Sequence, residues 1–81
     1  MPQVVVLPPF DREFFGSRDC INVSATSLFA VIEALDQEAP GFAKIAGVRA
    51  QFAVNGVIEP DWSCPLESAS EVILLPRVGG G

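Results

Sequence analysis

Apolar positions along the chain form short unbroken runs and one helical stripe. Val4-Val5-Val6-Leu7 and Val72-Ile73-Leu74-Leu75 are apolar at every position. A strand that is apolar on both faces suits the middle of a sheet. The first run predicts a strand over Gln3–Leu7, stopped by Pro8-Pro9, which have no N–H for a ladder. Phe10 to Ser17 reads as a loop with a helical turn closing at Gly16. Cys20 to Ser24 alternates and predicts a second strand, returning along the first through a long connection. Leu28, Val31, Ile32 and Leu35 then recur at i, i+3, i+4 and i+7, the stripe of an amphipathic helix. Thr26 is its expected N-cap, Glu33, Asp36, Gln37 and Glu38 its outer side, and Pro40-Gly41 its stop.

Phe42 to Ala46 predicts only a short helical turn. Arg49 to Val54 reads as a third strand, and Asn55-Gly56 supplies the tight turn with positive φ that sends Val57 and Ile58 back. Pro60 to Ser70 reads as a loop, and Glu71 to Leu75 as the last strand. One helix packed across a mixed sheet is an α+β roll, with the first and last strands side by side at its centre.

Size and charge narrow the function. A chain of 81 residues makes one domain. A domain of this size buries only roughly 60–65% of the surface its unfolded chain exposes. With 49% of residues apolar and a mean hydropathy of +0.40, apolar side chains are left at the surface, which points to docking on partners. A net charge of −5, from 10 acidic and 5 basic residues, argues against nucleic acid. Arg12, Arg18, Lys44, Arg49 and Arg77 form no basic run. No stretch has the length of a membrane span and the start lacks a signal peptide, so a cytoplasmic location is expected. Cys20 and Cys64 stand far apart in a chain without histidine, so no metal site is expected and both read as reduced thiols.

The end of the chain carries the distinctive chemistry. Gly79-Gly80-Gly81 is either a frayed end or a reactive tail. Without Cβ atoms the backbone can thread a narrow channel, and a terminal carboxylate can be activated as an acyl-adenylate. From Pro76 to Gly81 an extended tail spans about 20 Å. The chain therefore divides into a body, residues 1–76, and an expected flexible tail, residues 77–81.

Context gives the glycines their meaning. A strand running into Pro76-Arg77-Val78-Gly79-Gly80-Gly81 resembles the sulfur-carrier branch of the ubiquitin-like proteins, the MoaD/ThiS family. Ala53-Val54-Asn55-Gly56 resembles that family's hairpin, and Pro65-Leu66 the pair before its last strand. Arg12-Glu13-Phe14-Phe15-Gly16 is similar to the Arg-Glu-x-x-Gly of the small subunits of molybdopterin synthase, the branch that fits best. There are departures: Ser68-Ala69-Ser70 replaces the usual turn before the last strand, Arg77 replaces the second proline of Pro-Pro-Val, and Pro8-Pro9 replaces the usual end of the first strand.

The resemblance implies a β-grasp fold and a carrier that is not itself an enzyme. An ATP-dependent activating enzyme would adenylate the Gly81 carboxylate, with Gly80 beside it, and a sulfur donor would convert it to a thiocarboxylate. The large subunit of molybdopterin synthase, or an equivalent acceptor enzyme, would then take the sulfur. The chain itself would bind no cofactor; ATP belongs to the activating partner. Carriers for thiamine, cysteine or thiolated metabolites, and protein modifiers joined through the terminal glycine, share this ending. The expected partner contacts are Leu7, Ile73, Leu75, Pro76, Arg77, Val78 and Gly79, with Val5 adjoining. Strand alternation separates Val5, Leu7, Ile73 and Leu75 from Val4, Val6, Val72 and Leu74 but leaves open which set faces outward; the family analogy chooses the first. Trp62 is expected to cap the edge of the core.

Overall fold

The structure is a computed structural model, and the residues it describes are 2–67 and 70–77. In chain order they form β1 (Gln3–Val6), α1 (Phe10–Phe14), β2 (Cys20–Asn22), α2 (Leu28–Glu38), α3 (Phe42–Arg49), β3 (Ala50–Val54), β4 (Val57–Ile58) and β5 (Glu71–Pro76). The strands make one sheet in the order β2-β1-β5-β3-β4. β5 runs parallel to β1 and antiparallel to β3, so the sheet is mixed and its two doubly apolar strands lie together inside it.

The α2 stripe is buried as its spacing predicts: Leu28, Val31 and Leu35 are fully buried and Ile32 nearly so. They belong to one core with Val4 and Val6 of β1, Phe52 of β3, and Val72 and Leu74 of β5. Register explains the sheet's share, because Val4 pairs with Val72, Val6 with Leu74, and Leu74 with Phe52. Paired residues point to the same face.

Several boundaries differ from the sequence reading. Ser27, not Thr26, caps α2; its backbone is extended and its hydroxyl accepts from the Ala30 N–H at 3.2 Å. The Thr26 carbonyl instead accepts from Leu66 N–H at 2.8 Å, and Ser27 bridges to Pro65, which holds this entry in extended form. The expected turn at Phe42 is an eight-residue helix reaching Arg49. Its start is capped from α2, because the Asp36 carboxylate accepts from the backbone N–H groups of Gly41 and Ala43 at 3.1 and 3.0 Å. Gly41 makes the connection at φ +104°, a conformation that favours glycine. A carboxylate at a helix start also complements the helix dipole. Asp36 is therefore more than part of a solvated face.

Four phenylalanines join the smaller helices. Phe42 meets Phe10, Phe14 and Phe15 with ring centroids 6.1, 5.6 and 5.6 Å away. Across this cluster Arg49 pairs with Glu13 at 2.6 Å and lies over the Phe10 ring at 5.4 Å. Glu13, from the Arg-Glu-x-x-Gly segment, thus fastens α1 to the end of α3.

Candidate functional site

The helices contribute to the core on one face of the sheet, and the other face carries a continuous apolar row. Cys20 pairs with Val5, Val5 with Ile73, Ile73 with Ala53, and Ala53 with Ile58. The row therefore crosses all five strands. Its rim is open, with Cys20 exposed and Ile58 46% exposed; Val5 and Ile73 are half-buried. Their opposite numbers Val4, Val6, Val72 and Leu74 are sealed in the core. The outward set is the one the sequence reading chose. Beyond this row lie Leu75, half-buried and paired with Gln51, and Leu7, 37% exposed and hydrogen-bonded to the Leu74 carbonyl through its N–H at 3.0 Å. On the other side the face turns polar, with Gln3 paired to both Asn22 and Glu71. The apolar part is thus displaced toward the end of β5 from which the chain leaves.

That exit is built from hydrogen bonds. Pro76, half-buried, pairs with Ala50 as the last residue of β5, and its carbonyl accepts from the Gln51 amide at 3.3 Å. The Arg77 N–H donates to the Arg49 carbonyl at 2.7 Å, continuing the β3–β5 ladder past the strand. The Arg77 guanidinium donates to the Ala50 carbonyl at 3.1 Å and reaches the Gly47 carbonyl at 3.5 Å. Arg77, the first residue assigned to the tail by sequence, is therefore hydrogen-bonded to the body. The expected contacts Val78 and Gly79 and the expected reactive residues Gly80 and Gly81 lie outside the described residues. Cys20, Ala53, Ile58 and Gln51 belong to the same face and were missed by sequence reading. The signal that finds them is register, which no single strand's pattern contains.

Beside the exit is a shallow pocket of about 360 Å³ lined by Phe29, Gly47, Pro60, Asp61, Trp62 and Arg77. Trp62 caps the core edge as expected, its ring edge-on to Phe52 at 5.6 Å and to Phe29 at 6.0 Å. The Ser63 hydroxyl and backbone N–H both donate to the Asp61 carboxylate, at 2.6 and 3.0 Å, and hold its pKa below the usual value. The neighbouring Cys64 thiol is pushed up, first by desolvation and then by the negative charges of Glu59 and Asp61. Both cysteines are free thiols. Among the described residues no group of three His, Cys, Asp or Glu side chains gathers to hold a metal, and no helix is long and apolar enough to cross a membrane.

No known family profile matches the chain, and no curated protein matches its sequence. Solved structures do. One is Mycobacterium tuberculosis CysO, described as an antigen, at 19% identity and TM-score 0.80 over 96% of this chain and all of that one. A chain of the Amycolatopsis orientalis BexX/CysO complex matches at 15% identity and TM-score 0.76 over the full length of both. A chain of the Helicobacter pylori complex of subunits 1 and 2 of molybdopterin-converting factor matches at 26% identity and TM-score 0.65, covering 99% of this chain and 97% of that one. With its five-stranded mixed sheet, its crossing helix and these full-length likenesses, the chain has the ubiquitin-like β-grasp fold of the MoaD/ThiS sulfur carriers that its motifs resemble.

Proposed function

We propose that the chain is a cytoplasmic sulfur carrier that bears a thiocarboxylate on Gly81, and that its receiving partner is the large subunit of a molybdopterin synthase. The observation that carries the reading is a juxtaposition. β5 ends at Pro76 beside an outward apolar face that can dock on a partner, and in sequence it is followed by Arg77-Val78-Gly79-Gly80-Gly81. In this reading the Gly81 carboxylate attacks the α-phosphorus of ATP on the activating enzyme, pyrophosphate leaves, and a sulfide equivalent displaces AMP. The resulting thiocarboxylate is ionised at neutral pH and is a soft nucleophile, so the carrier needs no general base of its own. The body supplies affinity through Val5, Leu7, Ile73, Leu75 and Ile58, and the partner supplies the acids and bases.

The likeness to a chain of the molybdopterin-converting factor complex supports the choice of partner. The likeness to CysO, alone and in complex with BexX, favours a second reading in which the same carrier chemistry serves another acceptor enzyme.

Intact-mass measurement of the protein from its native cell tests the proposal. It also establishes whether Gly81 is the last residue. The expected result is a species heavier by one oxygen-to-sulfur exchange. Gly-Gly remnants on lysines of other proteins, without that species, would show a protein modifier instead. Deleting Gly81 should abolish thiolation completely and leave the circular dichroism spectrum unchanged. Co-purification of the wild-type chain then identifies which acceptor enzyme it meets.

A further inference from the structure

We infer that Arg77 is a positioning residue that fixes where and in which direction the reactive tail leaves the body. This inference rests on the carrier reading and adds to it a residue with a separate task.

Four contacts converge on the last described residues. The Arg77 N–H donates to the Arg49 carbonyl at 2.7 Å, and the Gln51 amide donates to the Pro76 carbonyl at 3.3 Å. The Arg77 guanidinium donates to the Ala50 carbonyl at 3.1 Å and lies 3.5 Å from that of Gly47. All the partners lie between residues 47 and 51, where α3 ends and β3 begins. The last carbonyls of a helix have no partner within it and carry the negative end of its dipole, so a cation there is favoured. Arg49 is itself tied to α1 through Glu13 at 2.6 Å, so the anchor is a braced part of the fold.

Two groups of residue 77 act here. Its backbone N–H extends the ladder by one residue, which any residue but proline can do and R77A keeps. Its guanidinium offers several donors in a planar fork, whereas a lysine ammonium is a point charge on a flexible stem. With residue 77 held, four residues follow, and they reach about 14 Å at most. Removing the guanidinium leaves residue 77 held by its backbone N–H alone, so the direction in which the chain leaves is less tightly fixed. A carboxylate that must meet a phosphorus atom in a partner's channel loses rate when its approach is less defined.

Docking and positioning then separate in the kinetics. Binding of the body falls to the sheet face, so KM for the carrier should follow Leu75. Productive placement of Gly81 falls to the clasp, so kcat should follow Arg77.

The test uses the full chain and the activating enzyme that co-purifies with it, measured by carrier-dependent ATP–pyrophosphate exchange. R77A should keep the melting temperature and KM of the wild type and lose about tenfold in kcat. R77K should recover only part of that loss, and L75E should raise KM with kcat kept. In ¹⁵N NMR of the isolated wild-type chain, the Arg77 side-chain N–H, exposed but hydrogen-bonded to the Ala50 carbonyl, should exchange with water more slowly than that of the exposed Arg12. Equal kcat for R77A and wild type, with the thiocarboxylate present on the native protein, overturns the role of Arg77 alone. A raised KM with unchanged kcat in R77A also overturns it, because Arg77 is then a docking residue. Absence of the thiocarboxylate from the native protein overturns the carrier reading and this role with it.

Discussion

β5 carries the same residue types on both faces, yet the two faces have opposite duties. Val72 and Leu74 are fully buried against α2 and the inner side of β1 and β3. Ile73 and Leu75, one position along, are half-buried among their cross-strand neighbours on the outer face. Composition alone does not distinguish a leucine sealed in the core from one on the outer face. What separates them is which side the helices occupy, and that choice is made once for the whole sheet. The comparison also explains how a small acidic chain with 49% apolar residues is consistent with an ordered fold. Part of its apolar content lies outside the sealed core, in a row from Cys20 to Ile58 of which Ala53 is buried and the other members are half-buried or exposed.

Adjacent leucines give the most direct way to break this comparison. Leu74→Ala removes a fully buried side chain and should cost about 2–5 kcal/mol in urea unfolding, by lost transfer energy and the cavity left behind. Leu75→Glu should change unfolding stability by no more than about 1 kcal/mol, because its side chain is not enclosed. The same change should weaken binding to the acceptor enzyme by tenfold or more, about 1.4 kcal/mol, as measured by calorimetry. If Leu75→Glu unfolds the domain, the outward face is structural and the distinction fails. The smallest effect concerns the thiols. Cys20 is exposed at the end of the outer row, while Cys64 is half-buried with its pKa raised by desolvation and by Glu59 and Asp61. A raised pKa leaves less thiolate at a given pH, and thiolate is the reacting form. At pH 8 iodoacetamide should therefore modify Cys64 more slowly than a cysteine in an unfolded peptide. The gap should narrow as pH rises. Equal rates at pH 8 would remove this electrostatic account of the Asp61 loop.

Much of the architecture was legible because it depends on short-range periodicity. The α2 stripe, the two doubly apolar runs and the Asn55-Gly56 turn each contain their own signal, and each appears where its spacing put it. Asn55 shows the limit of such a signal. Its positive φ of 51° follows from the turn, but its side-chain carbonyl also accepts from the Glu71 N–H at 2.9 Å, a contact between residues far apart in sequence. The length of α3 was missed for a similar reason. Phe42 to Arg49 has Gly47 within it and a weak apolar stripe, and the cap that starts it is Asp36 of the preceding helix. The outward face was half legible. Alternation grouped Leu7, Ile73 and Leu75 and the family resemblance chose their face, whereas Cys20, Ala53 and Ile58 join them only through strand pairing.

The sequence by itself determined the element types and the central place of the first and last strands. These follow from local chemistry: hydrophobic period and turn residues. Tertiary structure alone decided which face of the sheet turns outward, that Glu13 and Arg49 brace α1 against α3, and that Arg77 is tied to the last carbonyls around α3. Each of these joins residues distant along the chain. Their physical cause is the matching of donors, acceptors and apolar surfaces in space, and folding has to bring them together before that matching exists.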